Sequence, residues 1–185
     1  MDLGASSGRC YTCWMTELRT KRLVLRRARP HDVEALHEVF GDERSMHYWS
    51  NGPHTDLEET WRWLNSMIEA SPDESDDFVV TVSGQVVGKL GCWKLPEIGF
   101  ILRSDHWGKG LASEALSAFL AHIFAARDID RVIADVDPRN VGALRLLHSY
   151  GFAETGRAKG TWNTHIGLCD SVYLARQAKT SASSS

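Results

Sequence analysis

Residues 97–115, EIGFILRSDHWGKGLASEA, constrain this chain more than any other stretch. A mostly apolar run of strand length feeds a loop holding Gly108 and Gly110, and a helical pattern begins at once. Leu111, Ala115, Leu116, Phe119, Leu120 and Ile123 share one face of a helix read over 111–126. Glycine lets a backbone approach a ligand closely and take dihedral angles closed to other residues. The first turn of a helix carries unpaired N–H groups and the positive end of the macrodipole. Together these features make a cradle for an anion such as a pyrophosphate, and Lys109 adds a positive charge. The same glycines would also suit a plain strand-to-helix turn, because short glycine signals recur by chance. Two nucleotide motifs are excluded. The P-loop pattern GxxxxGK[ST] fails because Lys109 is followed by Gly110 and the earlier glycine position holds Arg103. The dinucleotide fingerprint GxGxxG fails at Ser113.

The flanking sequence alternates between strand and helix periods. Residues 22–28 (RLVLRRA) read as a strand. Pro30 opens a helix with Val33, Leu36, Val39 and Phe40 on one face, and Gly41 ends it. Thr55 and Glu58 have capping-box spacing ahead of a helix carrying Leu57, Trp61, Leu64 and Ile68, which Pro72 stops. Strands are expected over 78–82, 86–93 and 97–102, the first two joined by a Ser83-Gly84 turn. A strand over 131–137 and a helix over 140–150 follow, with Gly151 at the left-handed end position. Strands at 152–158 and 170–175 complete the order β-α-α-β-β-β-α-β-α-β-β. This order predicts an α/β fold, a mixed sheet with helices on both faces.

A chain of 185 residues, 43% hydrophobic, suits one domain with a sizeable core. We assign 21–177 to it, with 1–20 as an N-terminal extension in which Met15 is an alternative start, and 178–185 as a disordered tail. A formal net charge of −3 offers no basic excess for a nucleic acid or a membrane surface. No run approaches the ~18 consecutive apolar residues of a membrane span, and no secretory h-region is visible. Cys10 and Cys13 form a CxxC without a second pair, whereas zinc takes about four ligands, so no metal is expected. Cys92 and Cys169 read as small core residues of a reduced, cytoplasmic protein.

Trp107-Gly108-Lys109-Gly110-Leu111-Ala112-Ser113-Glu114-Ala115 resembles the coenzyme-A signature of the GNAT acetyltransferase superfamily, with core [QR]xxGx[GA]. It is most similar to the RimJ/RimL-like branch. Asp137-Pro138-Arg139-Asn140, then Ala143 and Gly151-Phe152, resemble a second landmark of that branch, and TKRLVLRR, HTDLEETWRWL and CDSVYLARQ match it too. The resemblance covers roughly residues 18–177. It implies a central sheet splayed between two strands, and acetyl-CoA as co-substrate for an amine acceptor, either a small molecule or a protein N-terminus. The state expected is monomer or homodimer. It further implies that backbone groups of Phe100, Ile101 and Leu102 meet the pantetheine and acetyl group. N–H groups from Trp107 through Gly108, Lys109, Gly110, Leu111 and Ala112 would hold the pyrophosphate, and Asn140 would reach the pantetheine. Asp105 departs from the [QR] position and places a negative charge near the phosphates, which Arg103 and Lys109 are positioned in sequence to offset. Ala143 stands where the branch often has serine, and Leu147 where some members use a tyrosine as general acid. Tyr150 lies on the same helix at another angle. These departures keep open a second reading, a non-catalytic acyl-CoA-binding or regulatory domain.

Direct attack on a thioester needs a neutral amine. An alkylamine has a pKa of ~10.4 and an α-amine ~7.7–8.0, so the nucleophile arrives largely protonated and a base must take the proton. Glu97, at the start of the strand leading into the glycine loop, is the candidate, against the plainer reading of a solvated strand-end carboxylate. His106, His148 and His165 are weaker alternatives, and Cys92 lacks a basic partner in sequence. Trp49, Trp61 and Trp63 lie where the resemblance implies an acceptor wall; Trp49 and Trp63 are the candidates for it, with plain packing the default reading of Trp61 and Trp63. Trp61 and Trp63, at i and i+2, must face different ways on a helix. The acidic run 72–77 (PDESDD) reads as a solvated loop.

Overall fold

Leu23 and Leu25 point inward from a four-residue strand whose other residues lie nearer the surface, the period-two pattern of a packed sheet. In the computed structural model, which describes residues 16–178, this strand is β2 (Leu23–Arg26). A short β1 (Leu18–Arg19) pairs with it, so part of the stretch read as an extension belongs to the sheet. Cys10, Cys13, Met15 and the 179–185 tail lie outside the described residues. There follow α1 (Val33–Phe40), α2 (Glu43–Met46), α3 (Leu57–Glu69), β3 (Asp76–Val82), β4 (Gln85–Lys94) and β5 (Glu97–Leu102). Then come α4 (Leu111–Ala126), β6 (Arg131–Val136), α5 (Val141–Ser149), β7 (Ala153–Thr164) and β8 (Gly167–Gln177).

The strands form one eight-stranded sheet in the order β1-β2-β3-β4-β5-β6-β8-β7. Neighbours are antiparallel except β5 and β6, which run parallel. A parallel pair requires a long crossover, and α4 supplies it. Leu111, Ala115, Leu116, Phe119, Leu120 and Ile123 of α4 join Leu147 of α5 on one face, over Leu25, Phe78, Leu90 and Ile98. On the opposite face Leu36 and Phe40 of α1 and Leu64 of α3 pack on Val79, Val86 and Ile101. The splayed, mixed α/β sheet with helices on both faces is thus present. No helix among the described residues is long and apolar enough to cross a membrane.

Local differences from the sequence reading have physical causes. The cap of α3 is shifted by one residue: Asp56 accepts from the Glu59 N–H at 2.8 Å and Glu59 accepts from the Thr55 N–H at 3.1 Å, replacing the Thr55/Glu58 box. Gly41 ends α1 at φ −83°, an ordinary right-handed conformation. Ser83 and Gly84 both take positive φ, 50° and 84°, as a tight hairpin turn requires. The acidic run is not simply a solvated loop, because Asp76 and Asp77 start β3 and are buried. Asp76 meets Arg27, Arg127 and His122 at 2.6, 2.9 and 3.1 Å, and Asp77 meets Lys89 at 2.6 Å. Buried charges persist when paired in this way. The β7–β8 hairpin extends beyond the expected strands and takes in residues 159–169 apart from its two-residue tip, 165–166.

Candidate active site

The sheet opens at one place. Among the described residues β5 and β6 share a single register pair, Glu97 with Ile133, backed by the Ile133 N–H donating to the Pro96 carbonyl at 3.1 Å. On its other edge β5 stays paired with β4 as far as Leu102 opposite Gly88. Past Glu97, therefore, one edge of β5 faces a gap. The Arg103 N–H donates to the Val87 carbonyl at 2.9 Å. Alternation along an antiparallel ladder then aims the backbone groups of Ile101 and Gly99 at β4, and those of Phe100 and Leu102 at the gap. This departs from the expectation for Ile101, whose backbone lies on the wrong edge for a ligand there. The Leu102 carbonyl already accepts from Ser45 Oγ at 3.0 Å and Trp107 Nε1 at 2.7 Å. Phe100 keeps both backbone groups toward the gap, and Leu102 its N–H.

The glycine loop stands at the wide end. Residues Ser104–His106 make one 3-10 turn, and α4 begins at Leu111. Gly108 and Gly110 take φ +70° and +74°, where a side chain is strained. A Cβ on Gly108 would meet nothing within 4 Å, so that α-carbon borders open space. Gly110 caps α4 without a side-chain acceptor. Trp107 is 46% exposed, with the Arg44 guanidinium 5.6 Å from its ring. The front of the loop is pinned by Asp42, which accepts from the Ser104 N–H at 2.9 Å and from Ser45 Oγ at 2.6 Å. Burial pushes the Asp42 carboxyl up, but these bonds outweigh it and hold it at about 2. Asp105 is engaged by Arg103 at 2.8 and 3.0 Å, which pulls its carboxyl below the usual range. Arg103 is also paired with Glu38, so its guanidinium is committed to carboxylates.

Asn140 is the N-cap of α5: its Oδ1 accepts from the Ala143 N–H at 3.1 Å. No partner for its Nδ2 is found among the described residues. Leu147 is fully buried in the core, so no acid group stands at that position. The Tyr150 hydroxyl donates to the Ser113 carbonyl at 2.7 Å and meets Ser113 Oγ at 2.8 Å, tying α5 to the first turn of α4.

Period two divides the side chains of β5. Ile98 and Leu102 enter the α4 core, while Ile101 enters the α1–α3 core, the side shared by Glu97 and Gly99. On that side a Cβ on Gly99 would lie 4.0 Å from the Trp49 ring. Trp49 and Trp63 flank Lys89 Nζ, 5.8 and 5.6 Å from their ring centres. Trp63 also packs on Phe40 at 4.3 Å, whereas Trp61 is 40% exposed. Glu97 is half-buried. Burial raises its pKa above the usual carboxylate range, a hydrogen bond with Trp93 opposes the shift, and the Asp135 charge adds to it. Asp135 lies two residues beyond Ile133 and so on the Glu97 side of the sheet. It accepts from Trp162 Nε1 at 2.9 Å. Sequence reading missed Asp135, because only the β5–β6 register shows which carboxylate neighbours Glu97. The other groups considered have local roles. His148 Nδ1 binds the Phe152 carbonyl at 3.0 Å, and His165 packs against Gly52. His106 Nε2 lies 3.7 Å from Asp105. Cys92 is fully buried, and burial pushes its thiol far above the ordinary range, which rules out a ready thiolate.

Residues 22–153 match the family described as "Acetyltransferase (GNAT) domain". The chain is 29% identical to the uncharacterized N-acetyltransferase p20 of Bacillus licheniformis, over 86% of this chain and 94% of that protein. It is 31% identical to the [ribosomal protein uS5]-alanine N-acetyltransferase of Escherichia coli, over 80% of this chain and 87% of that enzyme. A crystal structure of a GNAT-family acetyltransferase from Bacillus anthracis superposes with a TM-score of 0.77 at 27% identity, covering 88% and 98% of the two chains. Sheet, gap, glycine loop and relatives agree, and the chain belongs to the GNAT family of acetyl-CoA-dependent N-acetyltransferases.

Proposed function

We propose that the gap between β5 and β6 receives the pantetheine arm of acetyl-CoA. The pyrophosphate then rests on N–H groups of residues 107–112, and the acetyl group lies beside Phe100. The observation that carries this reading is the single register pair between β5 and β6. Backbone polar groups within a sheet need partners, and the amides of a pantetheine chain offer them on one edge of β5. Asn140, with its Oδ1 used as a cap, keeps Nδ2 to donate to the same arm.

The amine nitrogen forms a bond to the acetyl carbon, the carbon–sulfur bond breaks, and the coenzyme leaves as a thiolate that takes up a proton. Glu97 accepts the amine proton, directly or through one water. Its raised pKa makes it a stronger base than an ordinary carboxylate. Asp135 adds a second negative charge that draws a protonated amine to this face. Trp49 and Trp63 wall the acceptor site. The acceptor is an amine, a small molecule or a protein N-terminus, and the enzyme works in a reduced, cytoplasmic setting, consistent with two buried free thiols.

The test is release of free thiol from acetyl-CoA against a panel of small amines and N-terminal peptides, with thermal melting in the presence of CoA. Stabilisation by CoA together with thiol release for at least one amine supports the proposal. Stabilisation without release for any amine favours the non-catalytic binding domain. No stabilisation by CoA removes the coenzyme site.

A further inference from the structure

A carboxylate in the first turn of a helix that receives a pyrophosphate is an unfavourable neighbour for that ligand, yet Glu114 stands there. The structure gives it another task. Glu114 Oε1 accepts from Thr20 Oγ1 at 2.6 Å and from the Arg22 N–H at 2.8 Å, and Oε2 accepts from Arg22 Nε at 2.6 Å. The Thr20 hydroxyl foremost, and Arg22 after it, hold the Glu114 carboxyl down at about 2. With Nε held in this way, Arg22 Nη1 donates to the Lys109 carbonyl at 2.7 Å. One guanidinium thus spans from helix α4 to the middle of the glycine loop.

We infer that Arg22 is a positioning residue for the coenzyme loop, fixing the Lys109–Gly110 peptide so that the Gly110 N–H faces the pyrophosphate. A trans peptide is planar, and its C=O and N–H point in opposite directions. Drawing the Lys109 carbonyl toward Arg22 therefore turns the Gly110 N–H the other way. The positive charge on that carbonyl also polarises the peptide and strengthens its N–H as a donor. Without this tether, the Lys109–Gly110 peptide, which ends on one left-handed glycine and lies one residue past another, has unusual freedom to rotate. Arg22 is close-fitting at this point: a Cβ on Gly110 would lie 3.5 Å from Nη2. Lysine is not equivalent. Its single ammonium is a point charge and lacks the planar fork that reaches Glu114 and Lys109 together.

This inference rests on the reading that residues 107–112 hold the pyrophosphate. The experiment is calorimetric titration of the folded wild type, Arg22→Ala and Arg22→Lys with CoA and with pantetheine, which lacks the pyrophosphate. Arg22→Ala should bind CoA about tenfold more weakly, the scale of one lost charge-assisted hydrogen bond, and Arg22→Lys about threefold or more. Pantetheine affinity should stay within about twofold for both. Equal losses for the two ligands would make Arg22 a general support of the fold. Wild-type CoA affinity in Arg22→Lys would reduce its role to charge alone. Either result overturns the inference, and Arg22→Lys serves if Arg22→Ala does not fold. Gly110→Val in parallel separates the two claims. If it binds CoA normally the pyrophosphate reading fails, whereas if it loses CoA while the Arg22 variants do not, only the present inference fails.

Discussion

Lys89 and Asp77 form an ion pair at 2.6 Å whose side chains are only 1% and 4% exposed. Lys89→Met keeps the length and apolar stem of the side chain but leaves Asp77 buried beside no cation of its own. Breaking a buried pair in this manner costs about 3–5 kcal/mol. For a chain of this size 1 kcal/mol shifts Tm by about 2–4 °C, so the midpoint should fall by about 6–20 °C. The double variant Lys89→Met/Asp77→Leu removes both charges and should recover most of that loss, because the desolvation of each ion disappears with it. Urea titration of the two singles and the double gives the cycle. A loss below about 1 kcal/mol in Lys89→Met, or a double variant no more stable than the singles, would show that the Lys89–Asp77 pair does not act as a buried ion pair. The pair also has a functional reading, since Trp49 and Trp63 flank Lys89 Nζ. In the folded double variant the acceptor KM should rise several-fold, while the KM for acetyl-CoA stays near that of the wild type, because cation–π contacts hold the proposed acceptor wall and not the coenzyme loop.

Two further variants separate binding from folding. Gly110→Val places a β-branched side chain at φ +74°, where it is strained and stands against Arg22, so CoA affinity measured by calorimetry should fall at least tenfold, with a lower Tm. Asn140→Ala removes an observed cap, so stability should drop by about 1 kcal/mol in urea titration, and the apparent KM for acetyl-CoA should rise by about tenfold or less; a stability loss with unchanged KM would assign Asn140 to capping alone.

Legibility from sequence varied with how local the determining physics is. The boundaries of α4 and β5 agree with the reading because each is set by its own apolar period, with Gly110 directly before α4 and Pro96 directly before β5. The cap of α3 missed by one residue, since Thr55 and Asp56 are both good acceptors and only the backbone chooses between them. Asp76 and Asp77 read as surface charges because their partners come from residues distant in the chain, Arg27, Arg127, His122 and Lys89. The short α2 had no periodic signal at four residues. At the site, the glycine loop was readable from its own residues. Asp135 and Arg22 were not, because their significance depends on strand register and on a tether across the N-terminal turn. Ile101 was expected at the coenzyme, and the parity of the β4–β5 ladder decides against it.

In the proposed mechanism Glu97 takes the amine proton. Burial raises its pKa, so in the free enzyme kcat/KM should increase with pH through a value above the ordinary carboxylate range. The sign for stability is opposite: a carboxyl whose pKa is raised by folding stabilises the fold only while protonated, and that contribution is lost as pH rises through the folded pKa. Glu97→Gln should therefore leave Tm at neutral pH equal or higher, which separates a catalytic loss from a folding loss. The decisive measurement is the pH–rate profile of Glu97→Gln with an accepted amine. With Glu97 as the base, turnover should fall by about 10²–10⁴-fold, CoA affinity should stay near that of the wild type and the acidic limb should disappear. Near-normal turnover across about pH 6–9, a window that brackets the α-amine pKa, would contradict that role.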